Sequence, residues 1–476
     1  MRPLLQEIAT AHTPESLAGQ LAGEPGVVVL RSGASDTPQS RYSVVTARPF
    51  LTLRASGSRC ELMSGDVARA QYGNPWQVLD SLMARYELLD EVDLPFPLGG
   101  CFGWWGFELK NFVEPQLPRR AANDLELPDC HVGFHDSLVV FDHRLCKAWI
   151  VSTGLDVDGS RSEGRAKRQA EFWLELLGAP SSAQAVFESR VLNPESTVLS
   201  NLTRDQFIAL VERAQRYIRA GDIYQVNLSQ RLEVPTELSG WEFFLRLGEV
   251  SPAPFAAYLD CGAFQIASSS PELFLRLSGS HIVTRPIKGT RPRSADPTLD
   301  AQLTYELQTS AKEMAELVMI TDLLRNDLGR VCEYGSVQVP ELVRLERYPQ
   351  VQHLVSTVEG RLRADVTHFA AFASCFPGGS ITGAPKIRAM EIIDELEPVT
   401  RGPYTGCHGY LGFNRESQLS VSIRTAVRTG QKTFFHAGAG IVADSVPAAE
   451  YEETLAKARG FLAALNIPVA VVCDRR

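Results

Sequence analysis

Between residues 203 and 229 the hydrophobic period of this chain changes from that of a helix to that of a strand, and this change restricts the fold more than any other feature. Thr203-Arg-Asp-Gln206 has the form of a capping box, in which two side chains satisfy two otherwise unpaired backbone N–H groups. It opens a helix whose apolar positions Phe207, Leu210, Val211, Ala214, Tyr217 and Ile218 recur at helical spacing, and Gly221 stops it. Beyond it Tyr224, Val226 and Leu228 alternate with Gln225, Asn227 and Ser229, which predicts a strand with one apolar and one polar face. Upstream, short alternating segments such as Phe134 to Phe141 are mixed with turn signals, and a helix is predicted over Ser162 to Leu177. The small, polar, proline-bearing run Gly178-Ala-Pro-Ser-Ser-Ala-Gln-Ala185 reads as a connection. The expected division is an N-terminal region over 1–185 and a C-terminal region over 195–476. Helices and alternating strands without regular βαβ units predict the α+β class.

With 476 residues, 44% hydrophobic and 22% charged, the chain can bury a large core and is long enough for more than one domain. A formal charge of -9 argues against a nucleic-acid partner, which requires a basic field over a whole domain. The N-terminus, Met1-Arg-Pro-Leu-Leu-Gln-Glu-Ile8, lacks a long apolar core with a cleavage site, and no run approaches the ~20 apolar residues of a membrane span. The cytoplasm is the expected compartment. Nine cysteines with no Cys-x-x-Cys pair fit neither a secreted disulfide framework nor a structural zinc site. They read as reduced, with Cys332 and Cys375 as small core residues.

The stretch Arg285-Pro-Ile-Lys-Gly-Thr-Arg-Pro-Arg293 sets Lys288 among three arginines and beside a glycine. Locally this is a solvated basic loop or an anion site. The alternative is a nucleophile, because burial or nearby like charge disfavours the ammonium form and an amine attacks carbon only when neutral. Two acidic segments follow. Glu313 and Glu316 lie three apart and share a helix face, as do Glu450 and Glu453, with Lys457 one turn beyond. Such faces are ordinarily only solvated.

Six segments decide among these readings: Asp222-Ile-Tyr-Gln-Val-Asn-Leu-Ser229, Ser268-Ser-Ser-Pro-Glu272, Pro286-Ile-Lys-Gly-Thr290, Asp322-Leu-Leu-Arg-Asn-Asp-Leu328, Gly378-Gly-Ser-Ile-Thr-Gly-Ala-Pro-Lys386 and Gly438-Ala-Gly440. In this order, over about Asp222 to Lys457, the chain resembles the chorismate-utilising enzymes, which include the large subunits of anthranilate synthase and aminodeoxychorismate synthase. The resemblance implies two antiparallel β-sheets packed face to face, helices outside and an active site in a cleft between them. Within it, anthranilate synthases carry alanine where Lys288 stands, whereas Pro-Ile-Lys-Gly-Thr is the form typical of bacterial aminodeoxychorismate synthases.

The resemblance also implies roles. Lys288 becomes a covalent nucleophile toward C2 of chorismate, and Glu272 the general acid that protonates the departing 4-hydroxyl, which requires a raised pKa. The place of Gln225 holds a lysine base in the water-adding members. A neutral amide cannot deprotonate water, so ammonia becomes the natural nucleophile. Glu316 and Glu453 are implied ligands of Mg2+, with Glu313 and Glu450 beside them. The backbone of Gly438-Ala439-Gly440, otherwise read as a tight turn, is implied to cradle a substrate carboxylate. Tyr404, Arg424, Lys457 and the Gly289-Thr290 backbone assist, and His353 takes a lesser role near the ring. Ser32, Arg41, Tyr42, Pro254 and Phe255 fall where relatives have a tryptophan pocket, although a turn and a packed loop account for them equally. No segment resembles a Cys-His-Glu glutamine amidotransferase, so a separate glutaminase subunit is the expected ammonia source, making a heterodimer. The implied product is 4-amino-4-deoxychorismate, the precursor of 4-aminobenzoate and folate. The alternatives are an anthranilate synthase with an unusual lysine and a non-catalytic tryptophan-binding regulator.

Overall fold

A computed structural model describes residues 2–32, 40–88, 94–180, 198–348, 350–467 and 472–474. Within them the chain forms one 13-stranded and one 12-stranded sheet. The ladders are antiparallel except for the short pairing of Val198–Ser200 with Val472–Asp474. The expected α+β class of two antiparallel sheets with helices outside is what the molecule adopts.

Alternation explains how the layers stack. In the strand Gly100–Trp105 every residue is buried. Cys101 and Trp105 join the core on the helix-covered face of the second sheet, whereas Phe102 and Trp104 point the other way, into the core between the sheets. In Ser137–Asp142 of the first sheet, Leu138 and Val140 enter the same inter-sheet core. Val139 and Phe141 pack outward with Trp173 of the helix Glu163–Gly178. Strands covered on both faces lose the polar half of their period. Each fully buried large apolar side chain is worth about 1.5–3 kcal/mol.

The predicted segment Phe134 to Phe141 conceals a change of sheet. Phe134 belongs to Cys130–His135 of the second sheet, and Ser137–Asp142 belongs to the first. The crossing is at Asp136, whose carboxylate receives Arg165 Nε at 2.9 Å. The helix signals hold. Ser162 caps Glu163–Gly178, accepting from Arg165 N at 3.2 Å. The Thr203 box is reciprocal, with bonds of 3.2 and 2.8 Å opening Arg204–Arg219. Gly221 follows at φ +82°, a backbone state that glycine accepts without strain.

One alternation is corrected. Tyr224 lies just before the strand Gln225–Pro235 and is 72% exposed, so only Val226 and Leu228 form the apolar face. The connection after Gly178 and the limits 185 and 195 fall on or beside residues outside those described, and strands from either side of them pair in both sheets. Cys332 and Cys375 are buried and carry free thiols. No helix among the described residues is long and apolar enough to cross a membrane.

Candidate active site

Two further crossings between the sheets carry functional side chains. Phe264–Ser270 lies in the first sheet and Leu273–Ser278 in the second, so Pro271-Glu272 is the link between them. Glu416–Val421 and Thr425–Thr429 are likewise joined across the gap by Ser422–Arg424. The two links are tied together. Val421 N donates to Glu272 O at 3.1 Å, and Ser269 N to Arg424 O at 2.9 Å. Arg424 sits at φ +48°, an uncommon state for a residue with a side chain. No carboxylate lies within ion-pair distance of it among the described residues, and burial pulls its pKa down. A partly buried guanidinium without a carboxylate partner is arranged for an anion.

Glu272 is buried, and desolvation pushes its pKa up to about 7. A bond from Ser380, the nearby Lys288 charge and the Ile287 backbone N–H oppose the rise. Ser380 Oγ donates to Glu272 Oε1 at 2.6 Å. Lys288, on the strand Ile287–Pro292, directs Nζ to Ser380 O at 3.5 Å and lies 4.0 Å from Glu316 Oε2. The basic crowding expected around Lys288 is not realised, because each arginine has its own acid: Arg285 with Glu346 at 2.6 Å, Arg291 with Glu313 at 3.5 Å and Arg293 with Asp300 at 2.8 Å. Gly289 bulges at φ +67°, where an added Cβ would stand 2.7 Å from Leu307 Cδ1. Thr290 Oγ1 is 2.8 Å from His353 Nδ1. Burial and Arg424 press the His353 pKa down to about 4, so this imidazole is neutral.

The acidic faces belong to Ala311–Gly329 and Pro447–Ala464. Leu317, Ile320, Leu324 and Leu328 are buried along one side of the first helix, and Glu313 and Glu316, four residues ahead of Leu317 and Ile320, extend that side at its N-terminal end. Desolvation raises the Glu316 pKa; Lys288 and Lys312 oppose it, and Glu313 and Glu453 add to it. Desolvation also raises Glu450, helped by Glu453. At Glu453 desolvation is overcome by Lys457, 2.8 Å away, and the pKa falls. The two helices therefore bring carboxylates into mutual repulsion, which a cation would relieve. No group of three or more His, Cys, Asp or Glu side chains among the described residues forms a metal cage. The donor set suits a hard cation held by one or two carboxylates, water and a ligand anion.

The first sheet reaches these groups through Asn227, whose N–H donates at 2.8 Å to the carbonyl of Thr382, two residues beyond Ser380. Val226 and Leu228 pack outward against helices, and Gln225, Asn227 and Ser229 form the opposite face. Gly438-Ala-Gly440 is not a turn, as the tripeptide alone reads, but the middle of the strand Lys432–Ile441, paired with Asn227 to Ser229. Its glycines give room. A Cβ on Gly440 would lie 2.6 Å from Gln225 Nε2, and one on Gly438 would lie 2.6 Å from the Tyr404 hydroxyl. Gln225 is 1% exposed and its Oε1 has no hydrogen-bond partner among the described residues. Tyr404 stacks on His436 at 5.1 Å, and Lys457 Nζ donates to Gly438 O at 2.8 Å. Nothing in the sequence singles out Ser380, Asn227 or Lys312; the available signal for the first two is their place inside the segments 378–386 and 222–229.

Away from these residues, Ser32, Tyr42, Pro254 and Phe255 line one cavity between the sheets, with His408, Tyr410 and Arg276. Arg41 is not among its lining. Its guanidinium is held by Asp142 at 2.6 Å.

The profile of the family described as chorismate binding enzyme matches residues 34–463. The chain belongs to this family. Its members are similar along almost the whole length. Aminodeoxychorismate synthase component 1 of Escherichia coli (strain K12) is 40% identical over 449 residues, 94% of this chain and 95% of that protein. Anthranilate synthase component 1 of Acetivibrio thermocellus is 37% identical over 471 residues, 98% of this chain and 95% of that protein. The crystal structure of anthranilate synthase component I from Streptococcus pneumoniae TIGR4 superposes with a TM-score of 0.78 at 31% identity, covering 90% of this chain and 93% of that one. This chorismate-binding chain is therefore an enzyme of the chorismate-utilising fold, and both names occur among its relatives.

Proposed function

We propose that the chain is the large subunit of an aminodeoxychorismate synthase, forming 4-amino-4-deoxychorismate from chorismate and ammonia through a covalent adduct on Lys288. The observation that carries this reading is that a primary amine, Lys288, and a buried carboxyl group, Glu272, meet on one residue, Ser380, while the neutral amide of Gln225 supplies no base. Lys288, as the neutral amine, adds to C2 while Glu272 passes its proton to the 4-hydroxyl, which departs as water as the ring double bonds shift. Ammonia then adds at C4, the C2–N bond breaks and its electron pair returns to Lys288. Gln225 cannot activate water to compete. Arg424, Tyr404, Thr290, His353 and the Gly438–Gly440 backbone bind and orient the substrate's anionic groups.

Glu316 and Glu453, with Glu313 and Glu450 adjacent, would hold Mg2+. When bound, the ion draws a substrate carboxylate and neutralises its charge. Ammonia is delivered by a separate glutamine amidotransferase subunit, and the enzyme works in the cytoplasm on the route to 4-aminobenzoate and folate. The cavity at Ser32, Tyr42, Pro254 and Phe255 is read as a tryptophan pocket.

The test is product identification after the purified chain meets chorismate, Mg2+ and ammonium. 4-Amino-4-deoxychorismate is expected. Anthranilate would establish the other reading, which the similarity to anthranilate synthases favours, and no turnover would favour a tryptophan-binding regulator.

A further inference from the structure

Ser380 is the one described residue that hydrogen-bonds both Glu272 and Lys288. Its hydroxyl donates to Glu272 Oε1 at 2.6 Å, and its carbonyl accepts from Lys288 Nζ at 3.5 Å. The turn that bears it is fixed from several sides. Thr382 Oγ1 donates to Gly378 O at 3.0 Å, Asn227 N to Thr382 O at 2.8 Å, and the buried Arg401 Nη1 to Ile381 O at 3.3 Å. Gly379 is packed against Leu323, on the helix that carries Glu316. Lys386 anchors the far end on Asp327 at 2.6 Å.

We infer that Ser380 is a positioning residue: its hydroxyl fixes the rotamer of Glu272 and leaves Oε2 as the oxygen that carries the acid proton, while its carbonyl holds the Lys288 amine in register with that acid. A hydroxyl donating to Oε1 disfavours a proton on the same atom, and a bond of this length to a carboxyl group is among the stronger ones. The flanking carbonyl is fixed by the backbone, so acid and amine share a single reference point in a rigid turn. This rests on the assignment of Glu272 and Lys288 given above.

An isosteric pair isolates the hydroxyl. Ser380→Thr keeps the O–H and Ser380→Val has the same shape without it, while Ser380→Ala removes the group with no added bulk. The readout is chorismate consumption with saturating ammonium and Mg2+, whatever the product. Ser380→Ala and Ser380→Val are expected to lose about a hundredfold in kcat, the scale of a misplaced reacting group. KM for chorismate should stay within about threefold of the parent, a split that marks an interaction made in the transition state. Ser380→Thr is expected to recover most of the lost kcat relative to Ser380→Val. Equal kcat for the Thr and Val variants, or parental kcat for Ser380→Ala, would overturn the inference. Absence of chorismate consumption by the parent chain would instead overturn the assignment of function.

Discussion

Lys288 separates covalent from electrostatic catalysis, because arginine keeps the charge and cannot supply a neutral nucleophile. Lys288→Arg is expected to lose nearly all synthesis of the 4-amino product, and Lys288→Ala to shift residual product toward the 2-amino isomer or anthranilate, both read by chromatography and mass. A Lys288→Arg variant with parental rates of 4-amino product would refute the adduct. Glu272 carries a pH signature. With its pKa near 7, the acid form is lost as pH rises through that value, so kcat at constant free ammonia should fall tenfold per pH unit in the alkaline range. The sign for stability follows from the same raised pKa. The native state binds this proton between about 4.5 and 7 where the unfolded chain does not, so stability declines as pH rises through that window. Glu272→Gln should abolish turnover and raise unfolding stability at pH 8 by up to roughly 3 kcal/mol in urea titrations. The sequence identifies both residues as candidates, but not the pairing of Arg285, Arg291 and Arg293 with acids, which removes the crowding expected around the lysine.

At the scale of elements, two helices supply the acids and one glycine-bearing strand supplies the floor. Glu316→Gln or Glu453→Gln removes a charged group from a site with few of them, and each should abolish Mg2+-dependent turnover with an unchanged circular dichroism spectrum. Near-parental activity in both would show these faces to be ordinary surface. Gly440→Ala tests the floor. Its methyl would meet the buried Gln225 amide at 2.6 Å, so either the strand or the side chain must move. KM for chorismate should rise more than tenfold, and an unchanged KM would show that the strand backbone does not face the substrate. The helices and their caps are legible locally, since each depends on residues within a turn of one another. The tripeptide Gly438-Ala-Gly440 is not, because its strand conformation comes from pairing with residues about two hundred positions away.

For the whole molecule, the reading with a separate glutaminase predicts that the chain alone consumes chorismate with ammonium and not with glutamine. Glutamine-dependent turnover by the pure single chain would contradict it. The sequence by itself determined the α+β class, the limits of the helices at Ser162 and Thr203, the polar face of Gln225, Asn227 and Ser229, and the family, through six segments in order. These are local periods, caps and runs of residues, written in the chain whatever it packs against. Only the tertiary structure decided that Glu272 and Arg424 stand on links between the sheets, that Arg41 turns to Asp142, and that Ser380 reaches both acid and amine. Those relations join positions scores of residues apart. The direction of each side chain there is set by strand register and by which neighbour already neutralises its charge, and neither exists until the two sheets close on each other.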